Sequence, residues 1–153
     1  MPSRTDERLP FLPLSGMRAG RTFGPGAFVV TPGLVAAYIE VTGDDHPVYT
    51  DDAAARAAGF DGCVLPPGLT GVWARRSYLT EHRMLPGGVM AGETVELLLP
   101  VTVGARLSIM AEVVESDPDD ERRRVVLACT ARDEGGRLAG RVEIDARWPE
   151  DPS

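Results

Sequence analysis

The chain has 153 residues, 43% of them hydrophobic and 25% charged, and a formal net charge of −7. That length is enough for one domain with a real core, and the acidic balance excludes general nucleic-acid binding, which needs a basic face. All 16 basic residues are Arg, so Lys-based chemistry such as a Schiff base is excluded as well.

Residues 1–18 are broken by Pro and lack periodicity, and read as an arm that is loose or laid across a surface. A domain over 19–150 and a short tail over 151–153 are expected, with no internal repeat. Thr31-Pro32 starts a helix, with Thr as N-cap and Pro at the first helical position. Leu34, Val35, Tyr38 and Val41 then share one face, and Gly43 ends the helix. The loop Asp44–Thr50 follows. Asp51 caps a second, short helix, with Asp52 well placed in its first turn. Ala53, Ala54, Ala55, Ala57 and Ala58 propagate it and Gly59 stops it. Phe60 to Leu65 reads as an irregular crossing. Pro67 and Gly68 open a third helix that runs to about Leu79, with Leu69, Val72, Trp73 and Leu79 as its apolar face.

From residue 88 the period changes to two. Glu93–Val101 is largely apolar and predicts a well-buried strand. Leu107, Ile109, Ala111 and Val113 alternate with their neighbours. So do Val125, Leu127, Cys129 and Ala131, and then Val142, Ile144, Ala146 and Trp148. Asp117-Pro118-Asp119-Asp120 and Asp133-Glu134-Gly135-Gly136 are turns between consecutive strands. Helices first and an antiparallel meander afterwards give an α+β domain.

Cys63 and Cys129 form no disulfide framework, zinc knuckle or CxxC pair. No metal site is expected: the acidic residues lack EF-hand spacing, and His46 and His82 are far apart. His82, between Glu81 and Arg83, reads as solvated. No apolar run reaches membrane-spanning length, and a start bearing Arg4, Asp6, Glu7 and Arg8 is unlike a secretory leader. A cytoplasmic location without membrane contact is the expectation.

The run Gly43-Asp44-Asp45-His46-Pro47-Val48-Tyr49-Thr50-Asp51, followed by Pro66-Pro67-Gly68, carries a family likeness. It resembles the active-site segment of the MaoC-like (R)-specific enoyl-CoA hydratases and acyl dehydratases, a branch of the hotdog fold. There the segment reads roughly G-D-x-N-P-x-H-x-D, then a short Ala-rich helix, then H-G. Tyr49 stands at the family's catalytic His, His46 at its Asn, and Pro67 at the His before Gly. Pro100-Val101-Thr102-Val103-Gly104 is similar to the family's P-V-x-x-G-D, with Ala105 in place of the Asp. The resemblance covers about residues 20 to 149. It implies a single α+β hotdog domain, its antiparallel sheet wrapped around a central helix at about Gly68–Leu79. It also implies a homodimer, or a heterodimer with another hotdog subunit, because the sheet edge and the substrate channel are usually completed by a second chain.

The ligand implied by the resemblance is an acyl thioester on CoA or an acyl carrier protein, with no separate cofactor. An acidic chain gives no help in binding an acidic carrier, which favours CoA. Asp44 matches the family's catalytic Asp, which works with the His on one water by general acid–base catalysis; the bland alternative is a turn residue. Tyr49 offers a phenol that titrates near pH 10, as a hydrogen-bond donor, a weak acid, or an aromatic that closes the former water site. His46 is either a relocated acid–base partner or a loop hydrogen-bonding group. Gly68 is placed to give its amide to the thioester oxygen, and without a Cβ it lets a ligand approach. Pro67 has no N–H and offers shape only. Pro67, Gly68, Leu69 and Trp73 are the substrate-binding candidates, and the pocket's volume depends on where Tyr38, Phe60, Trp73 and Met90 project. Arg75, Arg76 and Arg83 are candidates for CoA phosphates.

Three functions stay open. One is a hydro-lyase of the hydratase/dehydratase type, divergent in substrate or mechanism. Another is a non-catalytic or half-catalytic subunit of a heteromeric dehydratase. The third is a repurposed hotdog enzyme of specialised metabolism that performs dehydration, cyclisation or thioester cleavage.

Overall fold

The computed structural model describes residues 8–117 and 119–152. Strand β1 (Thr22–Val29) leads into helix α1 (Pro32–Thr42), short helix α2 (Asp52–Ala57) and helix α3 (Thr70–Tyr78). Four strands follow: β2 (Val89–Leu97), β3 (Arg106–Ser116), β4 (Arg124–Arg132) and β5 (Leu138–Arg147). They form one five-stranded sheet in the order β1-β3-β4-β5-β2, antiparallel throughout. Helix α3 touches every strand of it. The wrapped sheet is the arrangement the resemblance implied; the expected order of helices first and a meander afterwards is corrected, because β1 precedes the helices and β2 pairs with β5 and not with β3.

The two-residue period of the sequence becomes an inside and an outside. Leu107, Ile109, Ala111 and Val113 on β3 are buried, as are Val142, Ile144 and Ala146 on β5. On β4, at the centre of the sheet, Val125, Val126 and Leu127 are buried in succession. Against this face α3 sets Trp73, Ala74, Ser77 and Tyr78, all buried. Among the described residues, no helix is long and apolar enough to cross a membrane.

Three further expectations are corrected. The apolar stretch expected as a buried strand over 93–101 forms a strand over Val89–Leu97, and every residue of it is exposed. The strand is at the sheet edge, and among the described residues it pairs only with β5 and nothing covers it. Composition reports that a side chain favours burial; it does not say whether its own chain supplies the cover. Val41, expected on the buried face of α1, is 86% exposed; the face that packs is Leu34, Val35, Tyr38 and Ile39, which keeps the i, i+3, i+4 spacing more closely. The described part of the N-terminal arm is neither loose nor superficial, since Leu12, Leu14 and Met17 are in the core. Trp148 holds it there by donating its indole N–H to the Leu12 carbonyl at 3.0 Å. Residues 1–7 lie outside the described residues.

Candidate active site

The site is built from short-range rules. Thr31 accepts the Leu34 N–H with its side chain and starts α1. Gly43 ends it with φ at 72°, a left-handed conformation that costs a residue with a Cβ far more than it costs glycine. Asp44 is thereby released from the end of the helix, and its N–H bonds to the Thr42 hydroxyl at 3.2 Å. Pro47–Tyr49 forms a single 3-10 turn. Asp51 then caps α2 by accepting the Ala53 and Ala54 N–H groups at 2.8 and 3.2 Å. The loop is held from outside too, by the Val64 N–H on the Val48 carbonyl at 3.0 Å. Asp52 accepts the Cys63 N–H, also at 3.0 Å, which ties α2 to the same crossing.

These restraints bring one carboxylate between two phenols. The Tyr49 hydroxyl is 3.5 Å from Asp44 Oδ2, and the Tyr38 hydroxyl is 3.3 Å from the same oxygen. Burial, and then the facing Asp44 charge, push the Tyr49 phenol above its ordinary pKa. It therefore carries its proton throughout the neutral range.

His46 is turned to another task. Its Nδ1 accepts the Val48 N–H at 3.3 Å and caps the 3-10 turn, which leaves Nε2 as the protonated nitrogen of the neutral ring. Its ring lies 5.9 Å from that of Tyr49, centroid to centroid.

Tyr49 and His46 line an apolar cleft of about 530 Å³, together with Phe60, Leu65, Pro67, Thr70 and the run Leu97 to Val101. This volume lies within the range of small-ligand sites. Asp44 is not on the cleft wall and meets it through Tyr49. On its other side Tyr49 borders a more polar depression with Asp52, Arg56 and Asp61.

The remaining candidates separate. Pro67 lines the cleft. Leu69 and Trp73 are 3% and 2% exposed and belong to the core. Leu69, Trp73 and Ser77 form an i, i+4, i+8 stripe, all buried, and neither Leu69 nor Trp73 is on the cleft wall. Met90 is exposed on β2. Arg75 and Arg76 are exposed near the end of α3, whereas Arg83 stacks over the Phe11 ring at 3.9 Å. His82 is half-buried with its ring edge-on to Phe23, and burial lowers its pKa; the solvated reading is corrected.

Gly68 does not face open space. A Cβ there would lie 2.3 Å from the Tyr38 hydroxyl oxygen and 2.9 Å from two of its ring carbons. Tyr38 is the residue that the motif left out. Its one sequence signal is a polar-tipped aromatic on the packing face of α1, six residues before Asp44.

Sheet and wrapped helix place the chain in the hotdog class. Solved structures of that class superpose on it over most of its length. They include an R-hydratase of Pseudomonas aeruginosa (TM-score 0.76, 22% identity, 92% of this chain and 88% of that one). A MaoC-like dehydratase of Rhodospirillum rubrum is similar (TM-score 0.72, 21% identity, 93% and 99%). So is the HadBC 3R-hydroxyacyl-ACP dehydratase complex of Mycobacterium tuberculosis (TM-score 0.73, 21% identity, 84% and 95%). Residues 18–120 match the family model described as FAS1-like, dehydratase domain region, and the chain belongs to the MaoC-like dehydratase family. Among curated relatives, a 3-hydroxybutyryl-CoA dehydratase of Methylorubrum extorquens is 32% identical over 63% of this chain. A probable enoyl-CoA hydratase alpha subunit of Thermomonospora curvata is 33% identical over 60%. A 3-oxo-4,17-pregnadiene-20-carboxyl-CoA hydratase alpha subunit of Mycobacterium tuberculosis is 50% identical over 26%. The matched stretches span 59%, 29% and 13% of those three relatives.

Proposed function

We propose that this chain adds water to, or removes it from, an acyl thioester, with Asp44 as general base and Tyr49 as proton donor. The observation that carries the reading is the position of Tyr49. It lines the apolar cleft and at the same time points its hydroxyl at the Asp44 carboxylate. The cleft takes the acyl chain, and CoA is the carrier that an acidic chain favours.

In the hydration direction Asp44 accepts a proton from water as the oxygen bonds to the β-carbon of the enoyl group. The π pair moves to the α-carbon and is shared with the thioester oxygen. Tyr49 gives its phenol proton to the α-carbon, and the phenolate recovers a proton from Asp44 across their contact. Water is consumed and both side chains return to their starting state. The raised pKa of Tyr49 suits this role, because a phenol that holds its proton near neutrality can donate it to a far more basic carbon. His46 stands outside the relay, with Nδ1 occupied by Val48.

The test is turnover on a series of 2-enoyl-CoA thioesters from crotonyl-CoA upward. Asp44→Asn and Tyr49→Phe should each lower it by about two to four decades, with the melting temperature little changed. A parent-like rate in Asp44→Asn removes the mechanism.

A second reading is favoured by the uncovered β2 edge. In it the chain is one half of a heteromeric dehydratase whose partner carries the complete Asp and His pair. Two of the relatives are named as alpha subunits. Turnover that arises only when a second hotdog chain is added, and that survives Asp44→Asn, would establish this reading instead.

A further inference from the structure

Among the described residues, two polar side chains are completely buried, Thr70 and Ser77, both on α3. Ser77 is satisfied, because its hydroxyl donates to the Ala74 carbonyl. The Thr70 hydroxyl has no hydrogen-bond partner. Folding has taken it out of water without replacing the bond it lost, and native proteins seldom leave a buried polar group so. The carbonyls behind it in the chain are engaged. Pro66 accepts the Leu69 N–H at 3.0 Å, and Pro67 accepts the Thr70 N–H.

The two side chains differ in their surroundings. Thr70 lines the apolar cleft and Ser77 does not. The cleft wall is graded in burial. His46 and Pro67 are exposed, Tyr49 and Phe60 are half-buried, and Val64 and Thr70 are buried. Val64 and Thr70 are therefore its floor, with Tyr49 nearer the mouth. An acyl group whose reacting end is held at Tyr49 sends the rest of its chain toward that floor. A plain hydrocarbon suits Val64 and leaves the Thr70 hydroxyl unpaired. An oxygen on the chain pairs with it. Threonine in a helix has two favoured χ1 rotamers, so rotation of one side chain brings Oγ1 to the cleft wall.

We infer that Thr70 is a specificity residue whose hydroxyl bonds an oxygen, hydroxyl or keto, carried on the acyl chain itself, apart from the thioester carbonyl. The substrate class is then an oxygenated acyl thioester and not a plain one. The inference rests on the acyl-thioester reading above. Thr70 takes no part in the proton relay through Asp44 and Tyr49. A site built to pair with a substrate oxygen rejects the analogue that lacks it, because the protein's own polar group is then left without a partner.

The test uses 2-enoyl-CoA thioesters of one chain length, plain or with a single hydroxyl or keto oxygen at successive positions beyond the double bond. Both kcat/KM and Kd are measured on the full chain. In the parent, one position of the oxygen should be favoured over the plain thioester by about 10–100-fold. Thr70→Val, which keeps the shape and removes the hydroxyl, should abolish that preference by losing on the oxygenated thioester and gaining on the plain one. Thr70→Ser should retain it. A hydroxyl that is only a packing defect predicts something else: Thr70→Val raises the melting temperature and changes both thioesters alike. That result, or a parent without preference at any position, overturns the role of Thr70 and leaves the thioester reading standing. Failure of the parent to bind or turn over any thioester of the series overturns both.

Discussion

Tyr49 occupies a position where an imidazole would titrate in the middle of the physiological range, and a phenol does not. Burial and the Asp44 charge raise its pKa still further. The sign of the consequence is definite. A group that must be protonated to act, and whose pKa lies above 10, stays competent until the pH passes that value. Turnover should therefore show no alkaline fall between pH 6 and about 9. A histidine that had to be protonated would lose its proton near pH 6.5. A pH–rate profile with an alkaline limb in the histidine range would put His46 back into the mechanism. The thiols are unsuited to nucleophilic work: burial raises both, and Cys129 is pushed up to about 11.

Among the elements, the ends of the chain are pinned to each other more firmly than their composition suggests. Asp151 accepts the backbone N–H groups of Leu14 and Ser15. The Ser15 hydroxyl and then these amides hold its carboxyl below the ordinary range. A carboxyl whose folded pKa is depressed contributes stability that is fully present above its unfolded pKa of about 3.9, and loses it as the pH falls through the folded value. Asp151→Asn should therefore speed amide exchange over residues 11–17 at neutral pH and leave that exchange less sensitive to acid. Exchange identical to the parent's across the acid range would mean that Trp148 and the backbone bonds to Arg83 hold the segment without Asp151. The helix ends around the site are as local as this pin is distant: Thr31, Gly43 and Asp51 each satisfy or terminate a helix within four residues. Such caps contribute about 1 kcal/mol apiece, and they hold Asp44 and Tyr49 in place.

For the whole molecule, the open question is what meets β2. Val95 and Leu97 pair in register with Val142 and Gly140, so they share the core-facing side of the sheet, yet they are 43% and 54% exposed. Val72 on α3 is 40% exposed as well. Burying a Val or Leu side chain is worth about 1.5–3 kcal/mol, and an unpaired strand edge adds a row of free backbone groups. A second hotdog chain should cover this edge. Val95→Lys with Leu97→Lys should shift the protein to monomer in sedimentation at micromolar concentration, with the monomer fold intact by circular dichroism. Equal sedimentation of parent and variant would move the interface elsewhere.

The sequence by itself determined whatever depends on neighbours a few residues away. The helix starts and stops, the loop that releases Asp44, the turns, and the inward faces of β3, β4 and β5 are all of this kind, because caps act within one turn and strand patterning has a period of two. The motif at 43–51 also carried the family. Only the tertiary structure decided which side chains meet. Tyr38 and Gly68 are thirty residues apart, and they meet because the Tyr38 side chain reaches from α1 to the turn before α3. Trp73 has the same apolar character as Phe60, but the direction of its helix puts it in the core, while Phe60 reaches the cleft. Hydropathy scores the gain from burying a side chain; whether that side chain is buried depends on what the rest of the chain, or another chain, brings against it. That is why an apolar stretch could be read from residues 93–101, and an uncovered edge could not.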